Sequence, residues 1–205
     1  MTEQDVEIIA REQQYGGYAK IDRITLRHSL FAGGWSRPLT RELIERGHAV
    51  AVLPYDPVRD EVILIKQFRM GAWGAGEAPW MVETVAGIIE QGEQAEDVAR
   101  RETMEETGCT LGALHRVCDY FASPGIMTEK ITVYCGITDT KNAGGIFGLV
   151  EEGEDIQAYV APWDDIWTDV NEGNVVDAKI MLAMMWLSQN KDSLITHSLP
   201  PKDSL

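Results

Sequence analysis

An α+β fold is predicted for this chain of 205 residues, and three observations predict it. Two apolar runs, HAVAVL at 48–53 and EVILIKQF at 61–68, have strand composition and meet across DPVRD. The Asp56-Pro57 step initiates a turn there, so the two runs form a hairpin. A helical pattern is clear only from residue 94 onward, and two more helices come late rather than alternating with strands.

In chain order, residues 1–14 are polar and charged and read as the start of a frayed helix. Residues 18–30, rich in β-branched and aromatic side chains, form a strand, and Gly33-Gly34 turns the chain. A short strand at 41–44 precedes the hairpin. Residues 71–79 are a Gly- and Ala-rich loop whose glycines match no phosphate-loop spacing. A strand covers 80–86, and a helix covers 94–107. Glu96 and Asp97 suit the positive end of that helix, and Gly108 ends it. Strands follow at 114–122, 130–137 and 156–160, with a Gly- and Glu-rich loop at 143–155. Helices cover 164–171 and 175–189, and a loose tail begins at ITHS.

Composition narrows the function classes. Hydrophobic residues are 44% and charged residues 25%, so the chain is a folded globular protein rather than a disordered one. The formal charge is −15, which argues against nucleic acid or an anionic membrane as partner. It leaves room for a small anionic substrate bridged by divalent cations. No apolar run approaches the ~20 residues of a membrane span, and the N-terminus lacks the apolar stretch of a signal peptide. Cys109, Cys118 and Cys135 form no C-x-x-C pair and read as free thiols of a reducing compartment, the cytoplasm. The four histidines lack zinc-ligand spacing.

The chemistry is concentrated in GIIEQGEQAEDVARRETMEETG, which begins at Gly87. At about 100° per residue, Ala95, Val98 and Ala99 share one arc of the helix with Glu102, Glu105 and Glu106. Arg100 and Arg101 project elsewhere on the wheel. A stripe that begins apolar and turns acidic is costly unless a positive group compensates it. Acidic runs commonly face water and pair with basic side chains. Three carboxylates on a core-facing arc instead suit Mg²⁺ or Mn²⁺, which take hard oxygen ligands.

The segment resembles the Nudix box: Gly87, five residues, Glu93, seven residues, Arg101-Glu102, two residues, Glu105-Glu106, one residue, Gly108. Thr103 and Cys109 stand where the family has aliphatic residues. The resemblance implies a mixed-sheet α/β/α sandwich that hydrolyses nucleoside diphosphates linked to another moiety. It also extends beyond the box. The segments ERGHAVAVLPYDPVRDEVILIKQFR, APWMVETVAGIIEQGE, FASPGIMTEK and GLVEEGEDI are similar to the bacterial ADP-ribose pyrophosphatase subfamily, as is Pro124, about fifteen residues past the box.

The resemblance implies the following roles. The Ala86 carbonyl, Glu102, Glu106 and Glu154 hold two or more Mg²⁺ ions, with Mn²⁺ as the alternative, and Glu105 is a further ligand or outer partner. Glu152 is the general base, with Glu151 and Asp155 as its rivals for that role. Arg41, Arg46 and Arg69 contact the substrate, Tyr18 packs on the adenine, and Glu42, Ile88, Ser123, Gly125 and Glu129 are lesser contacts. Gly87, Glu93, Arg101 and Pro124 are structural in the motif, Arg101 by holding Glu93. Residues 1–50 form an antiparallel β region that dimerises, residues 51–205 form the hydrolase domain, and the homodimer shares its active sites. Two other readings stand beside this one: a Nudix hydrolase of another nucleotide sugar such as GDP-mannose, and a non-catalytic nucleotide-binding module.

Overall fold

The computed structural model describes residues 5–149 and 153–198, without the side chains of 195–198. The chain divides into two compact units, Met1–His48 with Tyr120–Ile131, and Ala49–Asp119 with Thr132–Leu205.

The first unit is built on an antiparallel sheet of β1 (Val6–Gly16), β2 (Lys20–His28) and β3 (Leu39–Glu45), in that order. Residues 6–16 are therefore a strand where the sequence predicts a helix start. Register shifts between Ile8 and Ala10 and between Gln13 and Tyr15 break the period-two alternation that would have marked β1. Its polar side chains pair across the sheet instead: Arg27 donates to Glu7 at 2.8 Å, and Arg11 bridges buried Asp22 and Glu45. Such cross-strand pairing overrides local preference. The segment after Ser123 is tied to β3, with the Ile44 N–H donating to the Ile126 carbonyl at 2.8 Å and the Thr128 N–H to the Ile44 carbonyl at 3.0 Å.

The second unit carries a mixed sheet. Its path runs through β10 (Gly145–Phe147), β11 (Ile156–Pro162), β5 (Glu61–Phe68), β4 (His48–Asp56), β9 (Lys130–Ile137) and β8 (Leu114–Phe121). The predicted strand at 80–86 is two strands. β6 (Trp80–Glu83) pairs with β5, and β7 (Val85–Ile89) pairs with β4, so the chain changes partner at buried Thr84. Almost every residue of β4 and the middle of β5 is buried, so both faces of the sheet centre are covered. On one face Val50, Val52, Ile65 and Ile156 pack with Val98 and Ala99 of α2 (Ala95–Thr107).

α4 (Ala178–Ser198) buries Ile180, Ala183, Met184 and Leu187 at helical spacing. It starts later than predicted because Asp177 caps it, accepting the Ile180 N–H at 2.9 Å. It also runs through ITHS, which the sequence places in a loose tail. A short α1 (Met70–Gly74) overlaps the first segment read as a loop, β10 lies inside the second, and α3 (Trp163–Glu172) lies where a helix is predicted. Among the described residues, no helix is long and apolar enough to cross a membrane.

The β4–β5 turn is organised by Asp56, which is 1% exposed. Its carboxylate accepts the Val58, Arg59 and Thr140 N–H groups, the Thr140 hydroxyl and the Arg59 guanidinium. Burial alone would raise its pKa; these donors outweigh burial and pull it down to about 2. The group is more acidic when folded than its ordinary 3.8, so its contribution is present above that value and is lost as pH falls toward about 2. Asp56→Ala should cost about 3 kcal/mol at pH 7, because the buried Thr140 N–H and hydroxyl lose their acceptor together with the Val58 and Arg59 N–H groups of the turn. Urea denaturation at pH 7 and pH 3 checks this: the deficit should shrink at the lower pH.

Candidate active site

Of the three carboxylates on the predicted arc, Glu102 and Glu106 turn to β7 for reasons of local structure, while Glu105 is half-buried and pairs with Arg101. α2 ends at Gly108, whose left-handed φ of 69° lets its N–H close on the Met104 carbonyl at 3.0 Å. Val98 and Ala99 anchor the helix in the core, which turns Glu102 and Glu106 toward β7. Glu106 is 3% exposed, and its carboxylate accepts the Ala86 N–H at 3.2 Å. The Glu102 side chain lies against Gly87 so closely that a Cβ there would sit 2.0 Å from Oε1. Glycine at 87 is thus a condition for Glu102 to occupy this place. Thr103, at a position aliphatic in the resembled family, is fully buried, and its hydroxyl donates to the Ala99 carbonyl at 2.7 Å. The hydrogen bond within the helix leaves no unpaired donor in the core.

Arg101 departs from the wheel projection. Its long side chain swings round to Glu102 at 2.9 Å and Glu105 at 3.0 Å, while Glu93 lies farther off at 3.8 Å. The Glu93 carboxylate accepts the Glu90 N–H at 2.9 Å and so also closes its own turn. Arg100 does leave the arc, donating to the Leu111 and Gly112 carbonyls.

Burial is the main cause that pushes Glu102 up to about 7, with Arg101 opposing and Glu105 and Glu154 adding repulsion. Burial likewise pushes Glu106 up to about 8, and Glu102 and Glu154 raise it further. Glu154, half-buried beyond the loop, accepts the Leu149 N–H at 3.1 Å. Among the described residues, no three acidic, histidine or cysteine side chains already converge into an ion-holding group. The set nevertheless fits a hard divalent cation. Its donors are oxygens, and their mutual repulsion is what a cation relieves.

Arg69 stands just past β5, and its Nε, at 2.9 Å, and one terminal nitrogen donate to Glu83. Ile88 lies on β7, half-buried. Glu152 and Glu151 lie outside the described residues, and Asp155 is exposed next to Glu154.

The remaining predicted contacts lie in the first unit, and three of them meet. The Arg46 guanidinium lies 5.7 Å from the centre of the Tyr18 ring, and its Nε is 3.3 Å from buried Glu129. Tyr18 is 79% exposed, so one face of this flat ring is free of the core. Arg41 and Glu42 are exposed on β3, with Arg41 donating to the Thr40 carbonyl. The Ser123 carbonyl accepts the Ile126 and Met127 N–H groups, forming a turn that carries Pro124 and Gly125 at the surface.

Sequence reasoning missed the carboxylate partner of Arg69 and the second cation that this carboxylate meets. Glu83 is a buried carboxylate in an apolar strand, and Lys179 is a single cation at the head of an apolar helix. Those two misfits were the available signal.

Comparison with known proteins places these features in context. The model of the family described as NUDIX domain matches residues 45–183. The chain is 45% identical over 190 residues to an ADP-ribose pyrophosphatase of Escherichia coli, covering 93% of this chain and 91% of that protein. It is 34% identical over 148 residues to a GDP-mannose pyrophosphatase of Cronobacter sakazakii, covering 72% and 76%. A solved structure described as an ADP compounds hydrolase superposes with a TM-score of 0.70 over 95% of this chain and 98% of that one. Its 19% identity makes this a likeness of fold.

Proposed function

This chain belongs to the NUDIX domain family, and from that premise we propose that it is an ADP-ribose pyrophosphatase. It hydrolyses the diphosphate of ADP-ribose to AMP and ribose 5-phosphate, with Mg²⁺ as its ion and Mn²⁺ as the alternative. The observation that carries the substrate is the similarity to an ADP-ribose pyrophosphatase, which is both higher and longer than that to a GDP-mannose pyrophosphatase.

In this reading Glu102, Glu106, Glu154 and the Ala86 carbonyl hold two or more ions, with Glu105 as a further ligand or outer partner. Bound ions supply charge neutralisation at the phosphoryl oxygens and a more acidic attacking water. Gly87 keeps the space for Glu102, and Arg101 and Glu93 orient the acids. Glu152 takes the proton of the water that attacks one phosphorus, and the bond from that phosphorus to the bridging oxygen breaks. Arg69, Arg41 and Arg46 bind the diphosphate and ribose as planar forks, and Tyr18 stacks on the adenine. Glu42, Ile88, Ser123, Gly125 and Glu129 complete the substrate contacts, and Pro124 stiffens their turn.

The enzyme acts as a homodimer whose subunits both contribute to each active site. The exposed apolar side chains of β1, Val6, Ile8, Ile9 and Tyr15, support an interface in the N-terminal region. The cytoplasm is its proposed location, supported by three free cysteines.

A panel of ADP-ribose, GDP-mannose and other nucleotide sugars, each with Mg²⁺ and with EDTA, tests the reading. ADP-ribose should give the highest kcat/KM, and EDTA should abolish turnover. A higher kcat/KM for another nucleotide sugar would replace the substrate. Nucleotide binding without hydrolysis of any member would make the chain a binding module.

A further inference from the structure

We propose that Lys179 is a positioning residue for substrate binding: acting through Glu83, it frees the Arg69 guanidinium to engage the diphosphate. The proposal rests on the reading of Arg69 as a substrate contact.

Four side chains of alternating charge stand in a line within the second unit. Asp177 caps α4 with one carboxylate oxygen and takes Lys179 Nζ on the other. Lys179, only 14% exposed, reaches Glu83 Oε1 at 3.7 Å. Glu83, buried at the end of β6, accepts two Arg69 N–H groups on Oε2, with Gln67 Nε2 at 3.5 Å from the same atom. Arg69, at the end of the line, attracts Glu106 of the acidic arc electrostatically. Glu83 also lies only three positions before Ala86.

The charge balance gives Lys179 its task. A buried carboxylate demands compensation, and with Arg69 as its sole cation it would hold that guanidinium fast. A second cation on the opposite oxygen satisfies part of the demand. It also fixes the plane of the carboxylate, and with it the direction of the guanidinium. Arg69 then keeps positive charge to spare for an incoming anion. If Lys179 only stapled α4 to the sheet, its loss would lower stability and leave substrate affinity alone.

The test is steady-state kinetics of the full-length enzyme, using the panel member with the highest kcat/KM. Lys179→Met keeps the length of the side chain and removes the charge. It should raise KM about tenfold with kcat within about twofold. Lys179→Arg should restore KM to within about threefold of wild type. In a Glu83→Gln background, Lys179→Met should have no further effect. Lys179→Gln serves in its place if the Met variant does not fold. An unchanged KM, or an equal rise in the Glu83→Gln background, overturns the proposal. Arg69→Gln run alongside separates the two levels. If it raises KM while Lys179→Met does not, only the role of Lys179 falls. If Arg69→Gln leaves KM unchanged, the reading of Arg69 falls as well.

Discussion

Glu106→Gln should lower kcat on the order of a thousandfold while the protein stays folded. The substitution keeps the shape that accepts the Ala86 N–H on one side and removes the charge. A bound divalent cation contributes several kcal/mol of transition-state charge stabilisation. About 4 kcal/mol of that corresponds to three decades in rate. The fold should tolerate the change, because Glu106 is buried and repelled by Glu102 and Glu154. Glu96→Gln is the matched control: it lies exposed in the first turn of the same helix, off the acidic arc, and should retain full activity. Turnover and thermal melts on both variants check the expectation. Undiminished hydrolysis by Glu106→Gln would remove the metal assignment.

The acidic arc and the β4–β5 hairpin were legible because their causes are local. The hairpin is a pair of apolar runs around an Asp-Pro turn, and the structure closes it with Tyr55 opposite Val62. α2 is bounded within one residue of its predicted span by Gly108 and the acidic first turn. Features that depend on pairing between elements were not legible. β1 hides behind two register shifts and gains its identity from the strand beside it. The break at Thr84 exists because β6 and β7 have different neighbours, which no local pattern encodes. A wheel projection locates an α-carbon, whereas Arg101 carries its charge several bonds away and returns it to the arc. The ion pair of Glu83 with Lys179 joins a strand and a helix far apart in the chain.

Without metal, the protein should lose stability as pH rises from about 5 to about 8, and Mg²⁺ should restore it more strongly at the upper end. The sign follows from the two buried acids. Glu106 and Glu102 are pushed up to about 8 and about 7 from an ordinary 4.5. Below 4.5 they are protonated in both folded and unfolded chains and add no penalty. Above it the unfolded chain releases protons that the folded chain retains, so unfolding gains ground with each step in pH until the folded groups ionise. The accumulated penalty is several kcal/mol. For a chain of this size each kcal/mol moves Tm by roughly 2–4 °C.

Other groups titrate over the same range, so the decisive quantity is the difference from Glu106→Gln. In EDTA the variant should gain on wild type by roughly 5–10 °C between pH 5 and pH 8. Because ions displace these protons, Mg²⁺ affinity should rise about tenfold per pH unit for each proton released. Calorimetry in two buffers of different ionisation enthalpy counts those protons directly. A Tm difference that stays flat from pH 5 to pH 8, with no proton released on Mg²⁺ binding, would mean that the carboxylates are already ionised and that burial places no strain on the site.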